Sequence, residues 1–371
     1  MIIFRLLINT INMKKLLLFL ALILAVFNAQ YCFATLALAQ TDDNAHLNQA
    51  NFDNLNHNTK YEVYNGKVYH IFFHSLIINP KLAFSCSMKD GYNNWMTTRD
   101  EFKKILNKLY ANNFILININ ELITYKNNQL TKNQLILPKG KKPLIISIDD
   151  VNYYEYMKGS GFADRLVVQD GKVTTVVKTG SGEIIDWEGD VIPILDSFVA
   201  KHPDFSHKGA KGIVAVTGYQ GVFGYRLKNY QEITQARQVA QVLKKTGWLI
   251  ANHSFGHSTK FKKGISFADF KKDLDKWDNI IANIAGKTNI YISPFGVCFD
   301  TNDSKMRYLK SKGYNIFCPV YKEMSIKYQN NILISERLNI DGFTMLKYPQ
   351  RIRKYFFNPA CVVDRRRLPI K

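Results

Sequence analysis

The sequence predicts one large α/β domain built on a parallel sheet, and three observations predict it. Short runs of branched apolar residues alternate along the chain with longer segments of helical periodicity. Two adjacent carboxylates, Asp149 and Asp150, close the run Pro143-Leu144-Ile145-Ile146-Ser147-Ile148, and the carboxyl ends of buried strands are where such folds place reactive groups. About 330 residues follow the apolar N-terminal stretch, enough for one such domain or barrel with insertions.

Taken in order, Val68 to Leu76 reads as a strand ending in His74, Phe102 to Leu109 as a helix, and Phe114 to Ile117 as a short strand leading into Ile119 to Leu122. Leu144 to Ile148 has the length and branching of a buried strand, and Val191 to Ala200 is helical ahead of His202-Pro203. Ile213 to Val216 and Leu249 to Ala251 are strands flanking a helix near Glu232 to Lys245, and a further helix spans Phe267 to Ile284. Between residues 151 and about 212 lies an insertion in which Leu166 to Val177 alternates polar and apolar residues about Asp170-Gly171, a β-hairpin signal. It is expected to shape one wall of a groove beside Asp150.

The N-terminus reads as an export signal. Met13-Lys14-Lys15 precedes the apolar run Leu16 to Phe27, and Ala37-Leu38-Ala39 offers small residues for cleavage. Residues 1–39 are therefore a signal peptide or, because residues 1–12 are also apolar, an N-terminal membrane anchor. Residues 40–62 form a flexible polar linker, rich in Asn, Asp, Gln and His, and residues 63–371 form the catalytic domain. Cys86, Cys298, Cys318 and Cys361 lie beyond the signal, widely separated and without a Cys-x-x-Cys pair, which excludes an ordinary zinc knuckle. In an exported chain some could pair, and buried free thiols fit equally well.

Fifty Lys and Arg against thirty Asp and Glu give a net charge of +20, so the chain is drawn to polyanions. An exported chain without a recognisable nucleic-acid-binding motif argues against nucleic acid and points to an anionic cell-wall polymer or membrane surface. No obligate protein partner is evident.

The second informative stretch is His253-Ser254-Phe255-Gly256-His257. Imidazoles at i and i+4 share one side of a helical turn and can reach one cation. With Asp150 they make three ligands, and three ligands plus an open position describe a catalytic rather than a structural metal site. The set suits one divalent metal, zinc first, with cobalt, nickel or iron also compatible. Such a metal acidifies its water and polarises a carbonyl, and Asp149 beside it can take the proton. Taken singly, an Asp pair is commonly a helix cap and His-x-x-x-His occurs on surface helices; the two in this order after apolar runs favour the metal site.

Ser147-Ile148-Asp149-Asp150 and His253-Ser254-x-x-His257 resemble the first two motifs of the NodB-like polysaccharide deacetylases, Thr-Phe-Asp-Asp and His-Ser/Thr-x-x-His, over the chain from about residue 65 onward. The resemblance implies a distorted (β/α) barrel with the ligands on its carboxyl-terminal rim and a β-hairpin-containing insertion. It makes Asp149 the general base and Asp150, His253 and His257 the metal ligands. The third motif is matched in part by Tyr291-Ile292-Ser293-Pro294-Phe295-Gly296, which keeps the Pro-aromatic-Gly turn and lacks the arginine. The backbone N–H of Phe295 retains the role of oxyanion donor. The arginine that orients the base is left open; Arg337 and Arg226 are candidates, each with a surface ion pair as its plainer reading.

No histidine follows His257, so the family's C-terminal acid must come from elsewhere. His74 resembles the histidine that ends the first strand in circularly permuted deacetylases acting on poly-N-acetylglucosamine, and is the candidate acid. His70 is its rival on the same strand face, expected inside or under the site; a hydrogen-bonded strand histidine is the plainer reading of the pair. Tyr153, Tyr154 and Pro294 are the expected substrate contacts, although Tyr153, Tyr154 and Tyr156 could equally pack or stack on sugar rings. The implied function is a secreted or surface-tethered hydrolase removing N-acetyl groups from an N-acetylated glycan, of peptidoglycan or poly-N-acetylglucosamine type. An O-acetyl esterase and a catalytically weak glycan-binding protein are the alternatives.

Overall fold

The computed structural model describes residues 60–127 and 129–370. The expected signal or anchor and nearly all of the expected linker lie outside the described residues. Among the described residues no helix is long and apolar enough to cross a membrane, and the four cysteines there are free.

Strands β1 (Tyr69–Phe73), β2 (Lys142–Ile148), β3 (Ile213–Val216), β4 (Leu249–Asn252), β5 (Ile290–Ile292), β6 (Ile316–Cys318) and β7 (Ile332–Ser335) lie side by side in that order, each parallel to the next. The chain leaves β7 through Glu336 and Arg337 and re-enters the sheet as β8 (Leu338–Asn339), which pairs in parallel with β1. One segment thus pairs with β6 through its first half and with β1 through its second, closing the sheet. In a flat sheet six strand spacings would hold β7 roughly 29 Å from β1, yet Ser335 Oγ of β7 lies 2.7 Å from His70 Nδ1 of β1. The architecture is a distorted (β/α) barrel, as the resemblance implies. The distortion sits at Glu336-Arg337, where a single bridge from Arg337 to Val320 replaces the ladder.

Helices α1 (Arg99–Ala111), α2 (Val191–Lys201), α3 (Tyr230–Lys245) and α4 (Phe267–Ile280) supply the crossovers. The α1 start is a capping box, in which Thr98 Oγ accepts from Glu101 N at 3.2 Å and Glu101 Oε2 from Thr98 N at 2.8 Å. The helix expected to run to Ile284 ends at Ile280, and a short turn of helix, Ala282–Ala285, follows. Strand alternation sorts the core. Ile146, Val214 and Ile250 face outward beneath the helices, and Ile145, Ala215, Ile292 and Leu333 fill the barrel. Above that apolar plug the inward positions turn polar, with His70, Ser147, Ser335 and Arg337 all buried.

The insertion contains the expected hairpin, Arg165–Gln169 with Lys172–Thr179. Asp170 and Gly171 adopt φ of 50° and 70°, the left-handed pair a two-residue hairpin turn requires, and a third strand, Gly182–Asp186, adds to it. The two hairpin strands pack on α2 and α3 and lie away from the groove. The insertion does shape one wall, but through Tyr154 and Tyr156 at its start, joined by Tyr219 from beyond it.

Candidate metal centre

Asp149 and Asp150 follow β2 directly. Asp150 takes φ of 59°, a left-handed kink that Asp tolerates better than most residues, and this turns both carboxylates into the barrel mouth. The loop is pinned by Asn152, whose Nδ2 donates to Thr217 O at 3.0 Å and whose Oδ1 accepts from Thr217 N at 3.1 Å. His253 and His257 lie past β4. They converge for a different reason from the one the spacing suggested, because residues 253–258 form a loop and not a helical turn, with Ser254 at φ 66° and His257 at φ 43°. Asp273 of α4 shapes this loop, accepting from Phe255 N at 2.7 Å and Gly256 N at 2.8 Å. No local sequence signal marks Asp273, since its partners lie well before it on a different element.

The ligand atoms of Asp150, His253 and His257 lie within 4.8 Å of one another. His253 Nε2 and His257 Nε2 stand 3.9 and 3.8 Å from Asp150 Oδ1. His253 Nδ1 donates to Ile292 O at 2.8 Å, which leaves the Nε2 lone pair free for a cation. Burial pushes the Asp150 carboxyl up, but His257 and His253, then His74 and the Tyr154 hydroxyl, bring it down to about 2. Burial also depresses His253. The set therefore presents an ionised carboxylate and a neutral imidazole, the forms that bind a divalent metal, and the residues fit one. His253→Ala is expected to abolish zinc retained through dialysis, read by elemental analysis, with the circular dichroism spectrum unchanged.

Asp149 has the partner that the third motif left open. Arg337 Nη1 donates to Asp149 Oδ1 at 2.7 Å, and Arg337 is 0% exposed, its guanidinium 4.2 Å from the centre of the Phe72 ring. It is a buried ion pair and not the surface pair that was its plainer reading. The inward alternation Ser335, Arg337, Asn339 along the closing strand puts it there. Burial raises Asp149, and the Arg337 guanidinium followed by the His253 imidazole more than offsets this, so its carboxyl titrates below the ordinary value. Arg226 is engaged elsewhere, with Glu155 Oε1 at 2.6 Å, Gln220 O at 2.6 Å and Tyr153 O, and it secures the loop bearing Tyr154.

His74 leaves β1 at the rim and Nδ1 donates to Trp95 O at 3.1 Å, so Nε2 is the nitrogen left for the cavity. His70 is corrected as a candidate acid, because it is buried with both ring nitrogens engaged, Nδ1 to Ser335 Oγ at 2.7 Å and Nε2 to Ser147 Oγ at 3.1 Å. Phe295 takes φ of 56° in the turn Pro294–Gly296 and its ring packs 4.4 Å from that of His257. Gly296 is required there, since a Cβ would stand 2.5 Å from Val320 Cβ. Pro294 is buried beneath this turn and is corrected as a substrate contact. Tyr153 is also corrected: it is 1% exposed and its hydroxyl donates to Asp190 at 2.6 Å, so it is a packing residue. Tyr154 reaches the cavity, and its hydroxyl donates to Asp150 Oδ1 at 2.6 Å.

These groups open into a cavity of about 710 Å³ whose walls carry Trp95, Tyr156, Tyr219 and Lys262, a volume typical of ligand sites. Asp341, past β8, also lines it and accepts from Thr344 N at 2.7 Å and Asn339 Nδ2 at 2.6 Å. No local pattern singles out Trp95, Tyr219 or Asp341. Asp149 with Arg337, and the cluster of Asp150, His253 and His257, share the carboxyl rim of a closed parallel barrel whose first strand leads into His74. This is the arrangement expected from the resemblance of the chain's first two motifs to those of the NodB-like deacetylases.

Among solved structures the chain is similar to IcaB from Ammonifex degensii, with a TM-score of 0.43 and 12% identity over 75% of this chain and 93% of that one. It is similar to a de-N-acetylase from Aggregatibacter actinomycetemcomitans, with a TM-score of 0.42 and 13% identity over 75% and 96% of the two chains. It is also similar to the BpsB deacetylase domain from Bordetella bronchiseptica, with a TM-score of 0.39 and 10% identity over 76% and 98%. No protein-family model and no curated protein matches the chain.

Proposed function

We propose that this chain is a metal-dependent NodB-type deacetylase, exported or tethered at the cell surface, that removes N-acetyl groups from a cell-wall or surface polysaccharide. The observation that carries this reading is the ionised Asp149, held by the buried Arg337 at 2.7 Å, directly beside the Asp150, His253 and His257 triad. A divalent cation held by the triad, zinc by ligand type, would supply Lewis acidity, acidifying a water and polarising the acetyl carbonyl. Asp149 is placed to accept the proton of an attacking water as the water oxygen bonds to the carbonyl carbon. Arg337 keeps the carboxylate ionised and aimed. The Phe295 N–H, presented by a fixed left-handed turn, donates to the developing oxyanion. His74 Nε2 delivers a proton to the amide nitrogen as the C–N bond breaks, leaving acetate and a free amine. The arginine whose absence from the third motif favoured a catalytically weak binding protein is supplied by Arg337, and this favours turnover.

The exposed rings of Trp95, Tyr156 and Tyr219 give the cavity faces on which pyranose rings can stack. Trp95→Ala is expected to raise KM for N-acetylglucosamine oligomers about 2- to 10-fold, the worth of one aromatic contact, with kcat little changed because the carbonyl holding His74 is main chain. A fall in kcat with KM unchanged would remove Trp95 from the binding surface. Acetate release from N-acetylglucosamine oligomers and from peptidoglycan, with chelator and with zinc restored, tests the activity itself. Release from O-acetylated glycan alone would make the chain an esterase on the same site.

A further inference from the structure

We propose that His70 is a positioning residue for the general base, acting through Ser147 and Arg337; the proposal rests on the reading of Asp149 as that base. Four buried side chains lie in series beneath the rim. His70 Nδ1 meets Ser335 Oγ at 2.7 Å, His70 Nε2 meets Ser147 Oγ at 3.1 Å, and Arg337 Nη1 meets Ser147 Oγ at 3.1 Å and Asp149 Oδ1 at 2.7 Å. His70, Ser147 and Arg337 are 1%, 0% and 0% exposed, and none of them lines the cavity, so they act on the reaction only through Asp149.

The direction of these bonds follows from the arginine. A guanidinium only donates, so Ser147 Oγ accepts from Arg337 Nη1. The Ser147 hydroxyl proton then needs an acceptor, and His70 Nε2 provides one. This fixes the imidazole in the Nδ1–H tautomer, donating to Ser335 Oγ. Burial first, and the Arg337 charge second, push His70 well below the ordinary histidine range, which keeps the ring neutral and able to accept.

Arg337 has little else to hold it. Among the described residues its buried Nε and Nη2 have no hydrogen-bond partner, so its in-plane orientation depends on the two contacts of Nη1, while Phe72 supports only its face. If Ser147 loses its fixed hydroxyl, the guanidinium is left to pivot about Asp149, and the carboxylate loses its aim. A misplacement of about 1 Å at a reacting group can cost on the order of 100-fold in rate.

The test uses the full chain loaded with zinc. His70→Leu and Ser147→Ala are each expected to lower kcat for an N-acetylglucosamine oligomer about 10- to 100-fold, with KM and bound zinc unchanged. The double variant should be no worse than either single one, because both break the same series. His70→Gln, which keeps an acceptor towards Ser147, should recover most of the rate. Nitrogen-15 NMR of the unsubstituted protein should show the His70 proton on Nδ1 throughout the neutral range. Multiplicative losses in the double variant, a Gln variant as poor as Leu, unchanged kcat, or a proton on Nε2 would each overturn the proposal. The NMR result stands even if the Leu variant fails to fold. A wild-type chain that releases no acetate would instead refute the deacetylase reading, and the tautomer would still decide whether the series exists.

Discussion

Asp149→Asn is expected to lower kcat for acetate release by about two to four decades, the usual worth of a positioned proton acceptor. Bound zinc and glycan affinity should stay as they were. The substitution is close to isosteric and leaves an amide oxygen for Arg337 Nη1, now 2.7 Å from Asp149 Oδ1, so the buried guanidinium keeps its hydrogen-bond partner while losing its countercharge. What disappears is the capacity to take a proton from water. The proposed ligands Asp150, His253 and His257 are untouched, and elemental analysis should return the same zinc content. A glycan-binding protein would show no change in any of these measurements, and unaltered turnover would remove Asp149 from the mechanism.

Arg337→Met is expected to cost both activity and stability. Removing one partner of a fully buried ion pair leaves the other charge uncompensated, which typically costs about 3–5 kcal/mol. Denaturant titration of the metal-free protein measures this directly. The pH dependence carries a sign that identifies the cause. In the native protein the Asp149 carboxyl titrates below its ordinary value, so its contribution is present above the unfolded pKa and is lost as pH falls through the folded one. In the variant burial acts without the guanidinium and pushes the carboxyl up. The deficit relative to wild type is then greatest at neutral and higher pH and shrinks as pH falls through the raised value and Asp149 is neutralised. A deficit equal at about pH 8 and pH 4 would show that Arg337 stabilises by packing on Phe72 and not by compensating Asp149.

The parts of the site that are contiguous in sequence were legible; those assembled by barrel closure were not. Asp149 and Asp150 could be read because a run of branched residues announces β2 and the carboxylates follow it immediately. The histidine pair was found by a spacing rule, although the loop conformation around Ser254 and His257 brings the rings together in place of helical periodicity. The fold class was legible from alternation as far as about residue 284. Strands β5 and β6, Ile290–Ile292 and Ile316–Cys318, are too short to display a period, and the closing strand is interrupted at Glu336-Arg337. Arg337 therefore looked like a surface residue. It is separated from Asp149 by 188 positions, and only its inward register beside Ser335 and Asn339 marks it as interior. His70 and His74 shared one strand face in the sequence, but depth along the barrel separates them, one buried beneath the rim and one at the mouth. Tyr153 and Tyr154 differ by a single residue, yet the left-handed Tyr153 backbone, at φ 51°, sends one ring to Asp190 in the core and the next to Asp150.

The central claim is that the triad and the Arg337-held Asp149 together form a hydrolytic site. It is tested most directly by acetate release from N-acetylglucosamine oligomers by the full chain, assayed with chelator, with zinc restored, and with the His253→Ala variant in parallel. The account predicts release that chelator abolishes, that zinc restores, and that His253→Ala lacks under all conditions. Retained zinc without release from any acetylated glycan, or release indifferent to chelator and to His253, would contradict it.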